Sequence, residues 1–281
     1  MSLYFIAELG QNHQGSLTIS KMMIDELYNS GIHAVKTAKR DIDVCLSEDQ
    51  KKMPYNGPHS FGATYYEHRK ALELSHEDFA TLKEYAESAG FDFIPSFTDA
   101  PSFDFIKSLG VNKIKIASQR VTDIELLKYV ADYFHGAVYM STGMSTIGDV
   151  EKMIDIFKKK EKYLLQCTSV YPCENKLLNL MVLKQYQNLF SKYVDGFGFS
   201  GHHVGIAPDI MAYFMGAHII ERHFTLNRSW KGSDHAGSLG IDGVKKIIKY
   251  IRECEDAMGD YEKRVLDEER PAMEKLRGDL K

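Results

Sequence analysis

Short apolar runs alternate along the chain with longer stretches in which apolar residues recur every three or four positions. The first run covers 4–9. Helical spacing follows over 17–29, with Ile19, Met22, Met23 and Leu27 on one face and Gly31 as a stop signal. A second short strand is predicted at 34–37. Residues 39–74 break the rhythm: Pro54, Gly57, Pro58 and Gly62 argue against a helix or a central strand there. An irregular connection of that length inside a compact domain suggests a functional segment. The rhythm then resumes with a helix over 75–89, where Ser75 is the N-cap and Asp78 stands in the loosely matching capping-box position. Further strands are predicted at 92–95, 113–117, 137–141, 163–167, 196–199 and 219–223. The intervening helices cover 102–108, 123–134, 147–158, 177–190, 206–215 and 242–258.

Eight strand-then-helix units imply a parallel sheet with helical crossovers. At this length they suit a closed (β/α)8 TIM barrel, an α/β fold of about 250 residues. An open doubly wound sheet would carry a GxGxxG turn after its first strand, and Gly10 and Gly15 do not make that spacing. The barrel is therefore assigned to residues 1–259. Residues 260–281 are charged and lack a strand signal, which suggests a terminal helix or extension.

Composition narrows the function classes. Among 281 residues, 44% are hydrophobic and 26% charged, a globular balance. The net charge of −4 gives no bulk attraction to nucleic acid or anionic membranes. Cys45, Cys167, Cys173 and Cys254 are too widely spaced for a disulfide framework or a CxxC metal knuckle, which favours a reducing, cytoplasmic setting. No apolar run is long enough for a membrane helix, and residues 1–9 lack the basic start of a secretory leader.

In a barrel the chemistry gathers where the strands end. The first strand delivers Glu8, the second Lys36, the third Ser96, and the fourth Lys115 and Ser118 with Arg120 beyond. Ser141 ends the fifth. Ser169 and Tyr171 follow the sixth, Ser200 and His202 the seventh, and Glu221, Arg222 and His223 the eighth, with Asp234 in the loop after it. Lys36 and Lys115 interrupt otherwise apolar strands. A lysine there is costly unless paired, so it signals either a salt bridge across the barrel mouth or an anion site. Ser96, Ser118, Ser141, Ser169 and Ser200 would add hydroxyl donors around a phosphate or carboxylate. His202 and His223 end adjacent strands about 4.8 Å apart, so both imidazoles can reach one divalent ion. With Glu8 nearby, an N/O donor set of that kind suits Mn²⁺, Co²⁺, Fe²⁺ or Zn²⁺ better than a carboxylate-rich cage. Other features have plainer readings. Tyr65–Tyr66 and Met22–Met23 suit packing, the lysines of 158–162 a solvated helix end, and Cys167 a small buried hydrophobe. There is no GxSxG nucleophile elbow.

The segments AELGQNHQG (7–15), HSFGATYYEHRKALELSHEDF (59–79), IKIAS (114–118), STGM (141–144), QCTSVYP (166–172), GFSGHHVGI (198–206) and ERHFTLNRSWKGSDHAGSL (221–239) together resemble the sialic acid synthase (N-acetylneuraminate synthase) family. They span almost the whole chain in family order. The resemblance implies a barrel that condenses phosphoenolpyruvate with an aldose, N-acetylmannosamine or its 6-phosphate, to give a 3-deoxy-2-ulosonic acid and phosphate. It implies a divalent metal on His202 and His223, usually Mn²⁺, with Co²⁺ or Mg²⁺ as alternatives. It places phosphoenolpyruvate on Lys36, Lys115, Ser96, Ser118, Ser169 and Ser200, matches Glu8 to the catalytic glutamate, and puts Asp234 and Tyr171 beside the sugar. It also implies a homodimer.

Three departures stand out against that family. Its members carry a C-terminal antifreeze-like domain that reaches into the partner subunit's site, and this sequence stops at Lys281, about where that domain would begin. The usual glutamine after strand 2 is Ala38. An acidic residue that would face the sugar is Arg120, and the usual asparagine is Asp123. Arg120 and Lys39 are therefore expected to favour an anionic acceptor. Three other readings stay open: a related phosphoenolpyruvate-dependent synthase with another aldose, a catalytically silent barrel acting as a binding subunit, and a Schiff-base aldolase.

Overall fold

A computed structural model describes residues 2–278. Eight strands, β1 (Tyr4–Gly10), β2 (Ala34–Lys39), β3 (Asp92–Phe97), β4 (Lys113–Ile116), β5 (Ala137–Ser141), β6 (Lys162–Cys167), β7 (Gly196–Gly201) and β8 (Ile219–His223), pair in parallel and in sequence order. The barrel closes where β1 pairs with β8, Glu8 opposite His223. The (β/α)8 architecture expected from the alternation is the one observed.

The helices are α1 (Leu17–Leu27), α2 (Ile42–Cys45), α3 (Glu48–Lys52), α4 (Tyr65–Ala71), α5 (His76–Ser88), α6 (Ala100–Ser108), α7 (Ile124–Tyr133), α8 (Ile147–Ile156), α9 (Val182–Phe190), α10 (Ala207–Phe214), α11 (Ile241–Met258) and α12 (Arg270–Arg277). Their starts follow local capping chemistry. Ser16, Ser75 and Asp99 each accept a backbone N–H three residues on. Pro101 lies in the first turn of α6, where its missing N–H leaves no gap, so that helix starts before 102. No helix among the described residues is long and apolar enough to cross a membrane.

The segment 39–74 is not irregular throughout. It contains α2, α3 and α4, which stop short of Pro54 and begin again after Gly62. Two reciprocal capping boxes, Ser47 with Gln50 and Thr64 with Glu67, start α3 and α4. Gly15 fixes where α4 docks. Its φ of +71° suits glycine, and a Cβ there would lie 2.3 Å from the Ala71 carbonyl oxygen. Helix α9 begins at Val182, five residues later than expected, because 175–177 tighten into a 3₁₀ turn. Beyond α11, residues 270–277 form a short exposed helix; the end of the expected 260–281 extension lies outside the described residues.

Alternation along the strands sorts the barrel interior into layers. Tyr4, Tyr139 and Tyr163 stack near the N-terminal end, with the Asp92 carboxylate taking the Tyr4 hydroxyl and the Lys113 ammonium. Above them Ile6, Ala34, Ile94, Leu165 and Ile219 form a dry layer. Two residues further along each strand, the inward positions are Glu8, Lys36, Ser96, Lys115, Cys167, Ser200 and Glu221. The outward positions Phe5, Ala7, Leu9, Val35, Phe93 and Phe97 pack against the helices.

The β1–α1 turn carries a buried acid-sensitive group. His13 accepts the Gly15 N–H at Nδ1, and burial, helped by the Arg40 charge, lowers its pKa from 6.5 to about 4. Between those values the unfolded chain binds a proton that the folded protein refuses, so stability falls as pH drops through that window. His13 alone is expected to remove about 2 kcal/mol between pH 7 and pH 5. Other buried histidines shift the same way, so denaturant titrations of the wild type and His13→Gln at both pH values should differ by that amount. Equal losses in the two proteins would mean that His13 is not the responsible group.

Candidate active site

The C-terminal mouth of the barrel opens into a cavity of about 390 Å³. Its floor and walls contain Glu8 (β1), Lys36 (β2), Ser96 (β3), Lys115 and Ser118 (β4 and its following turn), Ser141 (β5), Ser169 and Tyr171 (after β6), Ser200 (β7) and His202 just after it, Glu221 and His223 (β8) and Asp234. Apart from Lys39, Arg120 and Arg222, the candidate residues read from the sequence therefore meet in one place. A roomier groove of about 850 Å³ lies at the opposite end, lined by the lysines of 158–162, among which Lys162 is buried and donates to the Lys160 carbonyl at 2.9 Å. It holds none of the strand-end constellation.

Of the two readings of the buried lysines, the salt bridge across the barrel mouth is the one observed. Lys36 pairs with Glu8 and lies 3.9 Å from Glu221, while Lys115 pairs with Glu221 at 3.0 Å. Ser200 Oγ donates to Glu221 Oε1 at 2.9 Å. Burial alone would raise the Glu221 pKa, but Lys115, Lys36 and these hydrogen bonds outweigh it and hold the carboxylate well below its usual range. Burial together with the neighbouring Lys115 and Arg40 charges pulls Lys36 down to about 8, against the opposing pull of Glu221. Both lysines thus stand in the cavity wall with their charge balanced internally by Glu8 and Glu221.

Hydroxyls frame this cation pair. Gly143 N–H donates to Ser118 Oγ at 3.0 Å. A Cβ at Gly143 would lie 2.1 Å from Ser169 Oγ and 2.9 Å from Ser118 Oγ, so only glycine lets those two hydroxyls converge. Ser141 Oγ is buried without a hydrogen-bond partner among the described residues, as is Glu8 Oε1. Buried orphan polar atoms of this kind need a ligand or water to complete them.

The His202 and His223 rings lie 5.5 Å apart, with Tyr171 packed 3.9 Å from His202. Burial lowers both pKa values, that of His202 to about 3 with help from His223, so both imidazoles are neutral. His202 Nδ1 is 3.1 Å from the Thr168 carbonyl, which orients the ring and leaves Nε2 with its lone pair. His223 Nδ1 has no hydrogen-bond partner and lies 3.7 Å from Asp234 Oδ2. Among the described residues no three His, Cys, Asp or Glu groups are already gathered into a cage. Two neutral imidazoles with free nitrogen lone pairs beside a carboxylate nevertheless fit a borderline divalent ion with open positions. Behind the rings Arg222, fully buried, bonds the His203 carbonyl and the Asp209 carboxylate, tying the ends of β7 and β8 together.

Asp234 is held through Gln11 and Arg69, which the sequence reading did not single out. Gln11 Nε2 donates to Asp234 Oδ1 at 3.0 Å and to Ser233 Oγ at 2.8 Å, and Gln11 Oε1 accepts from Arg69 at 2.8 Å. Burial works against the Asp234 charge, but His223 and the Ser233 and Gln11 hydrogen bonds, with Arg69 behind them, keep its pKa low. Glu221, read from the sequence only as a strand-end residue, stands two residues before His223 on the same inward face. Arg69 lies in the segment 39–74, where no periodic signal marks an inward position.

Two expectations need correction. Arg120 does not face the cavity: residues 118–120 form a 3₁₀ turn that carries its guanidinium to Asp123 at 3.3 Å, and the cavity wall there is Ala117, Ser118 and Gln119. Lys39 is on the outward side of β2. It is buried, and its ammonium donates to the Leu74 carbonyl at 2.7 Å.

Comparisons with known proteins bear on this constellation. The NeuB family model matches residues 23–263. The chain is 35% identical over 275 residues to N-acetylneuraminate-9-phosphate synthase of Homo sapiens, covering 97% of this chain and 76% of that protein. It is 36% identical over 281 residues to N,N'-diacetyllegionaminic acid synthase of Legionella pneumophila, covering 96% and 77%. Among solved structures, N-acetylneuraminic acid synthetase of Leptospira borgpetersenii, in complex with citrate, superposes with a TM-score of 0.83 at 28% identity, covering 100% of this chain and 93% of that one. The chain belongs to the NeuB family and is a transferase-type synthase.

Proposed function

We propose that the protein condenses phosphoenolpyruvate with an N-acetylmannosamine-like aldose, giving a sialic-acid-like 3-deoxy-2-ulosonic acid and inorganic phosphate. The observation that carries this reading is the convergence of Lys36, Lys115 and the serine hydroxyls with His202, His223 and Asp234 in one cavity. The synthases of related nine-carbon sugar acids among the relatives support it.

The residues divide the work. Lys36 and Lys115 receive the phosphate and carboxylate of phosphoenolpyruvate, with Ser96, Ser118, Ser169 and Ser200 as further donors. C3 of the enol attacks the aldehyde carbon, and water adds at C2 before phosphate leaves. Glu8, whose Oε1 is uncommitted, orients that water and takes its proton. Asp234, fixed by Gln11, and Tyr171 hold the sugar. His202 and His223 would hold a divalent ion that polarises the aldehyde oxygen and stabilises the developing alkoxide. Manganese as the ion, a homodimer and a cytoplasmic location belong to the same reading.

The test is phosphate release from phosphoenolpyruvate with Mn²⁺ and a panel of aldoses. Release that depends on an aldose, is abolished by EDTA and returns with added Mn²⁺ is expected. No release with any aldose while the metal is bound would overturn the reading in favour of a silent barrel. Trapping of pyruvate by borohydride would favour a Schiff-base lysine instead.

A further inference from the structure

Behind the two imidazoles stands a buried charge that never reaches the cavity. Glu221 and His223 face the cavity, so by alternation Arg222 between them points outward, toward α10. Comparable outward positions on β1 and β3 hold Phe5, Ala7, Leu9, Phe93 and Phe97. Arg222 is 1% exposed, and its neighbours His203 and Asp209, the latter in the first turn of α10, are fully buried. Arg222 Nη2 donates to the His203 carbonyl at 2.5 Å. Its Nη1 lies 2.9 Å from His203 Nε2, 3.1 Å from the Gly205 carbonyl and against the Asp209 carboxylate. Stability alone does not account for this cluster. A buried ion pair is often no better for folding than apolar residues of the same volume. Moreover, Arg222 Nε, Asp209 Oδ1 and His203 Nδ1 are buried without hydrogen-bond partners among the described residues.

What the cluster does fix is the loop that carries His202. The ladder between β7 and β8 ends at Gly201 opposite Arg222, one residue short of each imidazole. The barrel holds His223 beyond that point: the Phe224 N–H next to it donates to the Glu8 carbonyl at 2.8 Å, and the His223 carbonyl accepts from the Leu239 N–H at 2.8 Å. His202 has already left its strand. On the β6 side, the Cys173 N–H donates to the His202 carbonyl at 2.9 Å, and the Thr168 carbonyl lies 3.1 Å from His202 Nδ1. On the β8 side, among the described residues, Arg222 supplies the hydrogen bonds to the loop 202–205. A Cβ at Gly201 would lie 3.0 Å from His203 Nδ1, so a side chain at the last ladder position would displace the ring that Arg222 grips. We propose that Arg222, anchored by Asp209, is a positioning residue for the divalent ion: from the residue before His223 it grips the residue after His202 and so sets the separation of the two imidazoles. This rests on the reading of His202 and His223 as ligands. Charge alone argues the other way, because a cation one residue from His223 repels a divalent ion. Grip and charge therefore predict opposite signs when the arginine is removed.

The experiment measures Mn²⁺ binding to the metal-free protein without substrates, by calorimetry and by the electron paramagnetic resonance of free Mn²⁺. It compares the wild type, Arg222→Met, Arg222→Lys and the double variant Arg222→Met with Asp209→Asn. If Arg222→Met does not fold, the double variant, which leaves no orphan charge, carries the test. Mn²⁺ affinity should fall about 10–100-fold in the folded Met variants, the range for loss of a group that supports a metal ligand. Lysine keeps the charge but lacks the forked donors, so Arg222→Lys should recover part of the loss. The KM for phosphoenolpyruvate at saturating Mn²⁺ should stay within about threefold, because Lys36 and Lys115 stand on the inward face. Affinity that is unchanged or raised in the folded Met variants would overturn the proposal and leave Arg222 as a structural ion pair. So would a rise in that KM as large as the loss of Mn²⁺ affinity, which would mean that the whole mouth has shifted. A wild type that binds no Mn²⁺, or whose binding survives His202→Ala, would overturn the two-histidine reading and the proposal with it.

Discussion

Glu8→Gln is expected to lower kcat for aldose-dependent phosphate release roughly 10²–10⁴-fold, the range for loss of a positioned acid–base group. The substitution is nearly isosteric, so the change is electronic. Glu8 is buried on the barrel floor and, among the described residues, its charge is met by Lys36. Glutamine cannot take a proton from the water adding at C2. It also releases Lys36 from its carboxylate, so the KM for phosphoenolpyruvate should stay the same or fall. Steady-state kinetics with both substrates varied will separate the two effects. A kcat within tenfold of the wild type would remove Glu8 from the chemistry and return it to the role of a counter-ion for Lys36.

Lys115→Met is expected to damage both folding and substrate use, for two separable reasons. Lys115 is 2% exposed and its ammonium is the partner of Glu221, itself 5% exposed. Removing the cation leaves a buried carboxylate with Lys36 at 3.9 Å and the Ser200 hydroxyl as its remaining partners. Breaking a buried pair in this way costs about 3–5 kcal/mol. The substrate loses a charge-assisted contact worth about 1.5–3 kcal/mol, a rise of roughly 10–150-fold in the KM for phosphoenolpyruvate. Lys115→Met with Glu221→Gln should regain most of the stability, because no orphan charge remains, while the KM stays high. Denaturant titration and kinetics on the two singles and the double complete the cycle. Recovery of the KM together with stability would show that Lys115 serves only as the partner of Glu221.

Glu221 also shows how far local pattern reaches. The strands were legible because inward and outward residues alternate with period two, and that same alternation brings Lys36, Ser96, Lys115 and Ser200 to one level of the barrel. Glu221 obeys it too, but an acid two residues before a histidine carries no role until its neighbours are known. Arg120 shows the converse. Its place in a motif suggested the cavity, but a three-residue 3₁₀ turn rotates the side chain onto Asp123. No residue type in that turn signals its direction, since both helical and 3₁₀ turns fit the same letters.

The segment 39–74 was harder for a different reason. Its prolines and glycines were correctly placed outside helices, yet the capped turns between them were short enough to escape periodicity. Its docking depends on contacts such as Gly15 against Ala71 and Arg69 on Gln11, which join residues far apart in the chain.

The alternation of strands and helices and the set of groups at the strand ends follow from periodicity and capping, which are local and therefore written in neighbouring residues. Which charges meet is a matter of closure. Glu8 and Lys36 stand on neighbouring strands, but Glu221 reaches Lys115 across the barrel, and Gln11 reaches Asp234 only because β1 and β8 meet. Coulomb and hydrogen-bond energies depend on distances that form only once the sheet has closed, so the balance of charge at the site belongs to the folded barrel.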